Sequence, residues 1–254
     1  MLNRAAITDD SEAASFKCHI DGPEVVIGES SYCGLKIHTA ANLHKDCIGL
    51  IRALKLPATP SALDLGAGAG AFSRRLMDNG FRVTAVEFDA NRFKAETDCH
   101  EYDLNQDFGN RFLKRFDLVV AIEIVEHLSN PRHFIHNCLE ALKKDGYLLI
   151  TSPNVESWLS RIIFLRRGRF LWFDENDYDN YGHIMPIFSW QIEQICSELD
   201  ARIIRIEHNR GPLTSKLGNK LTQILKNKLT YMSALYPLMT GRKRGEVNVY
   251  LIQK

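Results

Sequence analysis

An alternation of two periodicities constrains this chain more than any single residue does. Apolar runs at Ser61–Leu65, Arg82–Glu87, Leu118–Ile122, Tyr147–Thr151, Arg202–Glu207 and Val247–Ile252, with a weaker one near His100–Tyr102, read as strands. Between them Ala71–Asp78, a short stretch after Asn91, Pro131–Leu142 and Ser189–Leu199 read as helices; on Pro131–Leu142 the apolar face is Phe134, Ile135, Cys138, Leu139 and Leu142. An amphipathic helix is also expected from Ala40 to Leu56, where Leu43, Cys47, Ile48, Ile51 and Leu54 recur every three or four residues until Pro57 and Pro60 end it. Strands and helices in this order form βαβ units. The expected class is therefore α/β, with a mostly parallel sheet covered on both faces. Such sheets bind ligands at the carboxyl ends of their strands.

Two stretches interrupt the alternation. Residues 153–187 are too long for a plain βα loop and read as an inserted lid after the fifth strand. Residues 211–244 separate the last two strands. We read residues 1–39 as a loosely structured lead-in with a β-like run at Glu24–Ile27, and residues 40–254 as one domain holding both insertions.

The composition, 45% apolar and 25% charged over 254 residues, excludes a disordered or collagen-like chain. Its 32 basic and 31 acidic side chains leave a net +1, which excludes a uniformly basic nucleic-acid binder. That balance hides an asymmetry. From Gly211 to Lys254 eight Lys or Arg face Glu246 alone, a local charge of +7. The six cysteines show no C-x-x-C pair, so a zinc ribbon or redox dithiol is not expected. The first residues lack the apolar run of a secretory signal, and no run approaches a membrane span, so a cytoplasmic compartment with reduced thiols is expected.

The strand Ser61–Leu65 runs into Gly66-Ala67-Gly68-Ala69-Gly70 and then a helix. Alternating glycines suit positive φ or the close approach of a ligand, and the first N–H groups of the helix favour a polar or anionic group. Gly66, Gly68 and Ala71 also satisfy G-x-G-x-x-A, so nicotinamide dinucleotide binding must be weighed. Asp64 separates the readings. A carboxylate two residues before Gly66 can accept from turn N–H groups and orient a cationic amino acid, which a dinucleotide turn does not need. Glu87, ending the second strand beside Phe88, can accept from both ribose hydroxyls of an adenosine. Asp103 can meet an adenine amino group, with Leu104 against the ring.

In these residues the chain resembles the class I S-adenosylmethionine-dependent methyltransferases: LDLGAGAGAF, AVEFD, YDL and FDLVVAIEIVEHL fall in that family's order over roughly residues 40–152. The resemblance implies a Rossmann-like seven-stranded sheet and S-adenosyl-L-methionine as cofactor, held by Asp64, Gly66, Ala67, Gly68, Gly70, Glu87, Phe88, Asp103, Leu104 and Glu123. A nicotinamide oxidoreductase and a non-catalytic methyltransferase-like scaffold are the readings it competes with.

The fourth strand ends in Glu123-Ile-Val-Glu126-His127-Leu. Two carboxylates and an imidazole within five residues can ligate a divalent cation such as Mg2+ (Glu123, Glu126, His127) or supply a general base. The segment is similar to that of ubiquinone-biosynthesis O-methyltransferases and of small-RNA 3′-terminal 2′-O-methyltransferases, where a further histidine completes a metal site. His183, just before a helix, stands in a comparable order, so Glu126, His127 and His183 are the catalytic candidates. Bracing of a loop is the competing role for each.

Pro153-Asn154, Ser157 and Arg161 resemble a broad methyltransferase subgroup acting on small molecules, lipid-linked groups or glycans. The segment 158–173 mixes aromatic side chains with Arg161, Arg166, Arg167 and Arg169. Over residues 214–239, Leu217, Leu221, Ile224 and Leu225 accompany four lysines. Each segment suits either packing on its own protein or peripheral contact with an anionic membrane, and the first also suits a substrate lid or single-stranded bases. The expected reaction is O-methylation of a small-molecule, lipid-linked or glycan acceptor, with RNA as the alternative acceptor.

Overall fold

The computed structural model describes residues 29–209 and 245–254. The β-like run at Glu24–Ile27, Cys18 and the basic stretch 214–239 lie outside the described residues. Within the stretch read as a lead-in, β1 (Ser31–Tyr32) and β2 (Leu35–Lys36) form a small antiparallel hairpin turning at Gly34. It is fastened to the domain by Arg75, whose guanidinium lies 2.6 Å from Glu29 and 3.8 Å from the centre of the Tyr32 ring.

After α1 (Leu43–Arg52) come β3 (Ser61–Leu65), α2 (Ala71–Met77), β4 (Arg82–Glu87), β5 (Asp98–Glu101), β6 (Phe116–Ala121), α3 (Pro131–Ala141) and β7 (Leu142–Pro153). Then follow α4 (Trp158–Arg167), α5 (Glu175–Tyr181), α6 (Ser189–Glu198), β8 (Arg202–Asn209) and β9 (Val247–Gln253). Seven strands form one sheet in the order β5-β4-β3-β6-β7-β9-β8. Only β9 runs against the rest, pairing antiparallel with both β7 and β8. This is the α/β Rossmann-like sheet that the alternation and the resemblance led us to expect.

The sheet divides the core by the two-residue period of its strands. On β6, Leu118 and Val120 pack with Leu43, Cys47, Ile51, Phe72 and Leu76 of α1 and α2, whereas Val119 and Ala121 pack with Phe134, Ile135 and Cys138 of α3. Helices therefore cover both faces. On β3 the same alternation gives Ala62 to the first layer and Leu63 and Leu65 to the second. The five described cysteines, Cys33, Cys47, Cys99, Cys138 and Cys196, are all unpaired thiols.

The element boundaries shift from the sequence reading most clearly at the end of α3. Leu142, expected on the last turn of α3, begins β7, which runs twelve residues with Asp145 at positive φ. The insertion after β7 holds two helices, α4 and α5. No helix among the described residues is long and apolar enough to cross a membrane.

The chain leaves β3 for β4 on one side, while β6 joins β3 on the other. That divergence opens a crevice at the carboxyl ends of β3 and β6, where open α/β sheets bind ligands.

Candidate functional site

The turn after β3 forms the floor of this crevice. Gly66 and Gly68 have φ of +68° and +55°, in the left-handed region that side chains disfavour. Gly66 has a second reason to lack a side chain, because a Cβ there would overlap Ile124 Cδ1 from the chain after β6. The N–H groups of Gly66 and Ala67 donate to the Val86 carbonyl at 2.8 and 3.1 Å, tying the turn to β4. The Gly68 N–H donates to Glu87 Oε2 at 2.6 Å.

Around that floor stand the other residues expected to hold the cofactor. Phe88 follows Glu87 and is 72% exposed. Asp103, beyond β5, accepts from the backbone and side chain of Asn105, which hold its carboxyl below the usual range, and Leu104 beside it is buried. Glu123 stands at the end of β6 with φ +52°. Its N–H donates to Thr151 Oγ1 at 2.9 Å, and its Oε2 accepts from the Ala40 N–H at 3.2 Å. Removal from water pushes its carboxyl up to about 7.

Asp64 takes a partner that the sequence did not suggest. Its position in the two-residue alternation turns it toward α2, where the Ser73 hydroxyl donates to Oδ2 at 2.5 Å; the turn N–H groups go elsewhere. Burial raises its pKa to about 6, against the opposing effect of that hydrogen bond. The signal for Ser73 was a hydroxyl at the third position of a helix that starts six residues after the acid's strand ends.

Beside the glycine turn the chain makes a short 3-10 turn at Val125–His127 that buries Glu126 completely. Neither Glu126 carboxyl oxygen has a hydrogen-bond partner among the described residues, and burial holds its pKa well above the usual range. Its backbone carbonyl accepts from the N–H groups of both Ile184 and Met185 at 3.0 Å. Those two bonds bring the chain after α5 across the end of β6.

His183 thereby joins Glu126 and His127: one ligand atom from each lies within 4.8 Å of the others. The imidazole rings meet edge to face with centroids 4.9 Å apart. His127 Nδ1 donates to the Gly182 carbonyl at 3.1 Å and His183 Nδ1 to the Trp172 carbonyl at 2.7 Å. Burial lowers the pKa of both rings, so each is neutral at pH 7 with its proton on Nδ1 and its acceptor lone pair on Nε2. Phe173 and Tyr181 flank His183, with centroids 5.6 and 6.1 Å away.

The structure brings part of the expected metal set together. Glu126 and His127 converge with His183, the further histidine that the resemblance put in a comparable order, while Glu123 is not in this cluster. The positive φ at Glu123 turns its side chain toward the Ala40 N–H, a geometry that the three-residue spacing of the two acids does not reveal. Sequence reasoning also missed the carbonyl groups of Trp172 and Gly182 that orient the two rings. Backbone acceptors leave no residue-type signature.

Residues 40–205 match the model of a family described as a methyltransferase domain. A ubiquinone biosynthesis O-methyltransferase of Erwinia tasmaniensis is 29% identical over 112 residues, covering 40% of this chain and 46% of that one. That of Rickettsia typhi is 25% identical over 187 residues, 67% of this chain and 74% of that one. The matched region thus spans about half the length of the first relative and about three quarters of the second. Among solved structures, an S-adenosylmethionine-dependent methyltransferase from Archaeoglobus fulgidus aligns with a TM-score of 0.60 at 18% identity, over 84% of this chain and 93% of that one. Phosphoethanolamine N-methyltransferase 2 of Haemonchus contortus, in complex with S-adenosyl-L-methionine, aligns with a TM-score of 0.53 at 17% identity, over 86% and 54%. At these identities the two structures speak for the fold.

Proposed function

The chain belongs to the S-adenosylmethionine-dependent methyltransferases, and from that premise we propose that it methylates a hydroxyl of a small molecule with an apolar or lipid-linked body, at the cluster of Glu126, His127 and His183. One observation carries the reading. A fully buried carboxylate without a hydrogen-bond partner among the described residues faces two neutral imidazoles at the carboxyl end of β6, next to the glycine turn.

The residues present fit the cofactor. The cradle at Gly66 has no room for a Cβ, Glu87 and Asp103 stand at the ends of neighbouring strands, and Phe88 offers an exposed ring. The turn and Asp64 would hold the methionine part, Glu87 the ribose, and Asp103 with Leu104 the adenine. When bound, S-adenosylmethionine supplies an activated methyl group on a sulfonium.

Methyl transfer forms a bond from the acceptor oxygen to the methyl carbon as the carbon–sulfur bond breaks, and the hydroxyl proton must leave. The chain can offer a base to take it or ease its loss to solvent. Nε2 of either histidine can accept it directly as a general base. Alternatively, Glu126, His127 and His183 would together hold a divalent cation. Such an ion, when bound, would supply Lewis acidity that eases loss of the hydroxyl proton to solvent. The orphaned Glu126 oxygens fit this role, because a cation supplies the charge that burial otherwise withholds. Two imidazoles and one carboxylate suit Zn2+ or Fe2+ better than Mg2+, which prefers oxygen ligands.

Phe173, Tyr181 and the partly exposed Ile184 beside His183 support an acceptor with an apolar body. The O-methyltransferase names of the sequence relatives point the same way. To test the reading, labelled S-adenosylmethionine is incubated with the protein and fractionated cell extract. Label is expected in an organic-soluble small-molecule fraction, reduced by chelator and by Glu126→Ala. Label confined to RNA or protein, or rates indifferent to both treatments, would overturn the acceptor class or the cation respectively.

A further inference from the structure

The first lid helix leaves the fold partway along its length. Trp158, Leu159 and Ser160 at the start of α4 are buried, and the Ser157 hydroxyl caps it by accepting from the Ser160 N–H at 3.2 Å. From Ile162 onward the helix emerges, and Phe164 and Leu165 are 44% and 70% exposed. Isolated exposed apolar residues are ordinary on soluble proteins. Here, however, they are neighbours at the tip of one helix, with Ile162 and Ile163 partly exposed behind them.

The tip segment itself carries only basic charge. Between residues 157 and 173 stand Arg161, Arg166, Arg167 and Arg169 and no acid. Arg166 and Arg167 make no ion pair or hydrogen bond among the described residues, and Arg169 reaches only the exposed Glu175 at 2.7 Å. An intramolecular role would bring acidic partners to these guanidinium groups or cover Leu165. Arg169 has such a partner in Glu175, but Arg166 and Arg167 have none among the described residues, and Leu165 is 70% exposed.

The tip is also coupled to the site. Phe164 stacks on Phe170 at 4.6 Å and 13°, and Phe170 meets the edge of Phe188 at 5.5 Å, just before α6. The chain between them supplies the Trp172 carbonyl that orients His183. A surface that engaged the tip would therefore hold the lid over the methyl-transfer site.

We propose that the tip of α4 seats on an anionic phospholipid surface, with Phe164 and Leu165 at the acyl boundary and Arg166, Arg167 and Arg169 among the phosphates. Charge complementarity selects this occupant. An apolar point beside two unpaired arginines, Arg166 and Arg167, gains from both the interface and its negative potential, whereas a second copy of the chain would bring arginines against arginines. Docking of this kind is independent of which hydroxyl is methylated.

The test is flotation of the full chain with vesicles of phosphatidylcholine alone or mixed with phosphatidylglycerol, at low and high salt. Wild-type protein is expected to float with the anionic vesicles and to be released by salt. Leu165→Gln should weaken partitioning roughly tenfold, the worth of burying one such side chain. The double variant Arg166→Glu/Arg167→Glu should weaken it by more than about tenfold. Retained binding of S-adenosylhomocysteine by both variants shows that they are folded. The proposal is overturned if wild-type protein does not float, or if both variants float like wild type, in which case residues 211–244 make the membrane contact. It is also overturned if wild-type protein is a dimer in solution and Leu165→Gln a monomer, because the tip then serves a second copy.

Discussion

A buried carboxyl group without a hydrogen-bond partner costs free energy, and at Glu126 that cost is set beside two orienting histidines. Glu126→Gln keeps the shape and removes the ionisable group, whose charge burial opposes. Stability and activity should therefore move in opposite directions: thermal unfolding of the cation-free protein should shift upward by about 1 kcal/mol, while turnover falls by roughly 100-fold or more as cation ligation is lost. Melting curves and rates measured on the same preparation check this. If both fall together, Glu126 braces the loop instead. The glycine turn allows a paired comparison. At Gly66 an added Cβ meets Ile124 in addition to the positive φ, whereas at Gly68 no atom lies within 4 Å of it. Gly66→Ala should cost about 3 kcal/mol and abolish S-adenosylhomocysteine binding in calorimetry, and Gly68→Ala should cost only about 1 kcal/mol of backbone strain.

The element that brings His183 to Glu126 and His127 is α5, which was the least visible in the sequence. Glu175–Tyr181 reads ENDYDNY, with no apolar face, so the periodicity that disclosed α3 and α6 had nothing to register. Its signal was instead a cap. Asp174 accepts from the Asp177 N–H at 3.0 Å, and Asp177 accepts from the Asp174 N–H at 3.1 Å. The helix then ends at Gly182 in the left-handed conformation, which turns the chain into His183. Asp174→Ala should cost about 1 kcal/mol. Because the damage falls on the approach to His183, it should raise the acceptor KM or the cation requirement while leaving S-adenosylhomocysteine affinity unchanged, which separate titrations would show. The same contrast explains what was legible. β3, β4 and the glycine turn follow from local pattern, and Glu126 with His127 from adjacency. That His183 joins them and Glu123 does not depends on one positive φ and on two hydrogen bonds spanning almost sixty residues, from Ile184 and Met185 to the Glu126 carbonyl.

At the scale of the whole molecule, the fold carries two buried groups whose ionisation opposes folding from opposite sides of the pH range. Asp64, on the α2 face of β3, has its pKa raised by burial from 3.8 to about 6. A carboxyl so raised contributes stability that is complete below about pH 4 and is lost as pH rises through about 6. His44, on α1 against Phe72, has its pKa lowered by burial from 6.5 to about 3. Its contribution is complete above pH 6.5 and is lost as pH falls toward 3. Between pH 4 and 6 the two slopes oppose, so removing one should expose the other. Relative to wild type, Asp64→Asn, which can still accept from Ser73, should gain about 1.4 kcal/mol per pH unit as pH rises from 4 to 6 and then level off. His44→Leu should gain at a similar rate as pH falls from 6.5. For a chain of this length that is a shift in Tm of about 3 °C per pH unit, which calorimetric scans of the three proteins across the range would resolve. Because each curve is a difference from wild type, other titrating groups cancel unless they touch the altered site. Parallel curves for wild type and Asp64→Asn would mean that Asp64 keeps its unfolded-state pKa in the folded protein, the Ser73 hydrogen bond offsetting burial in full.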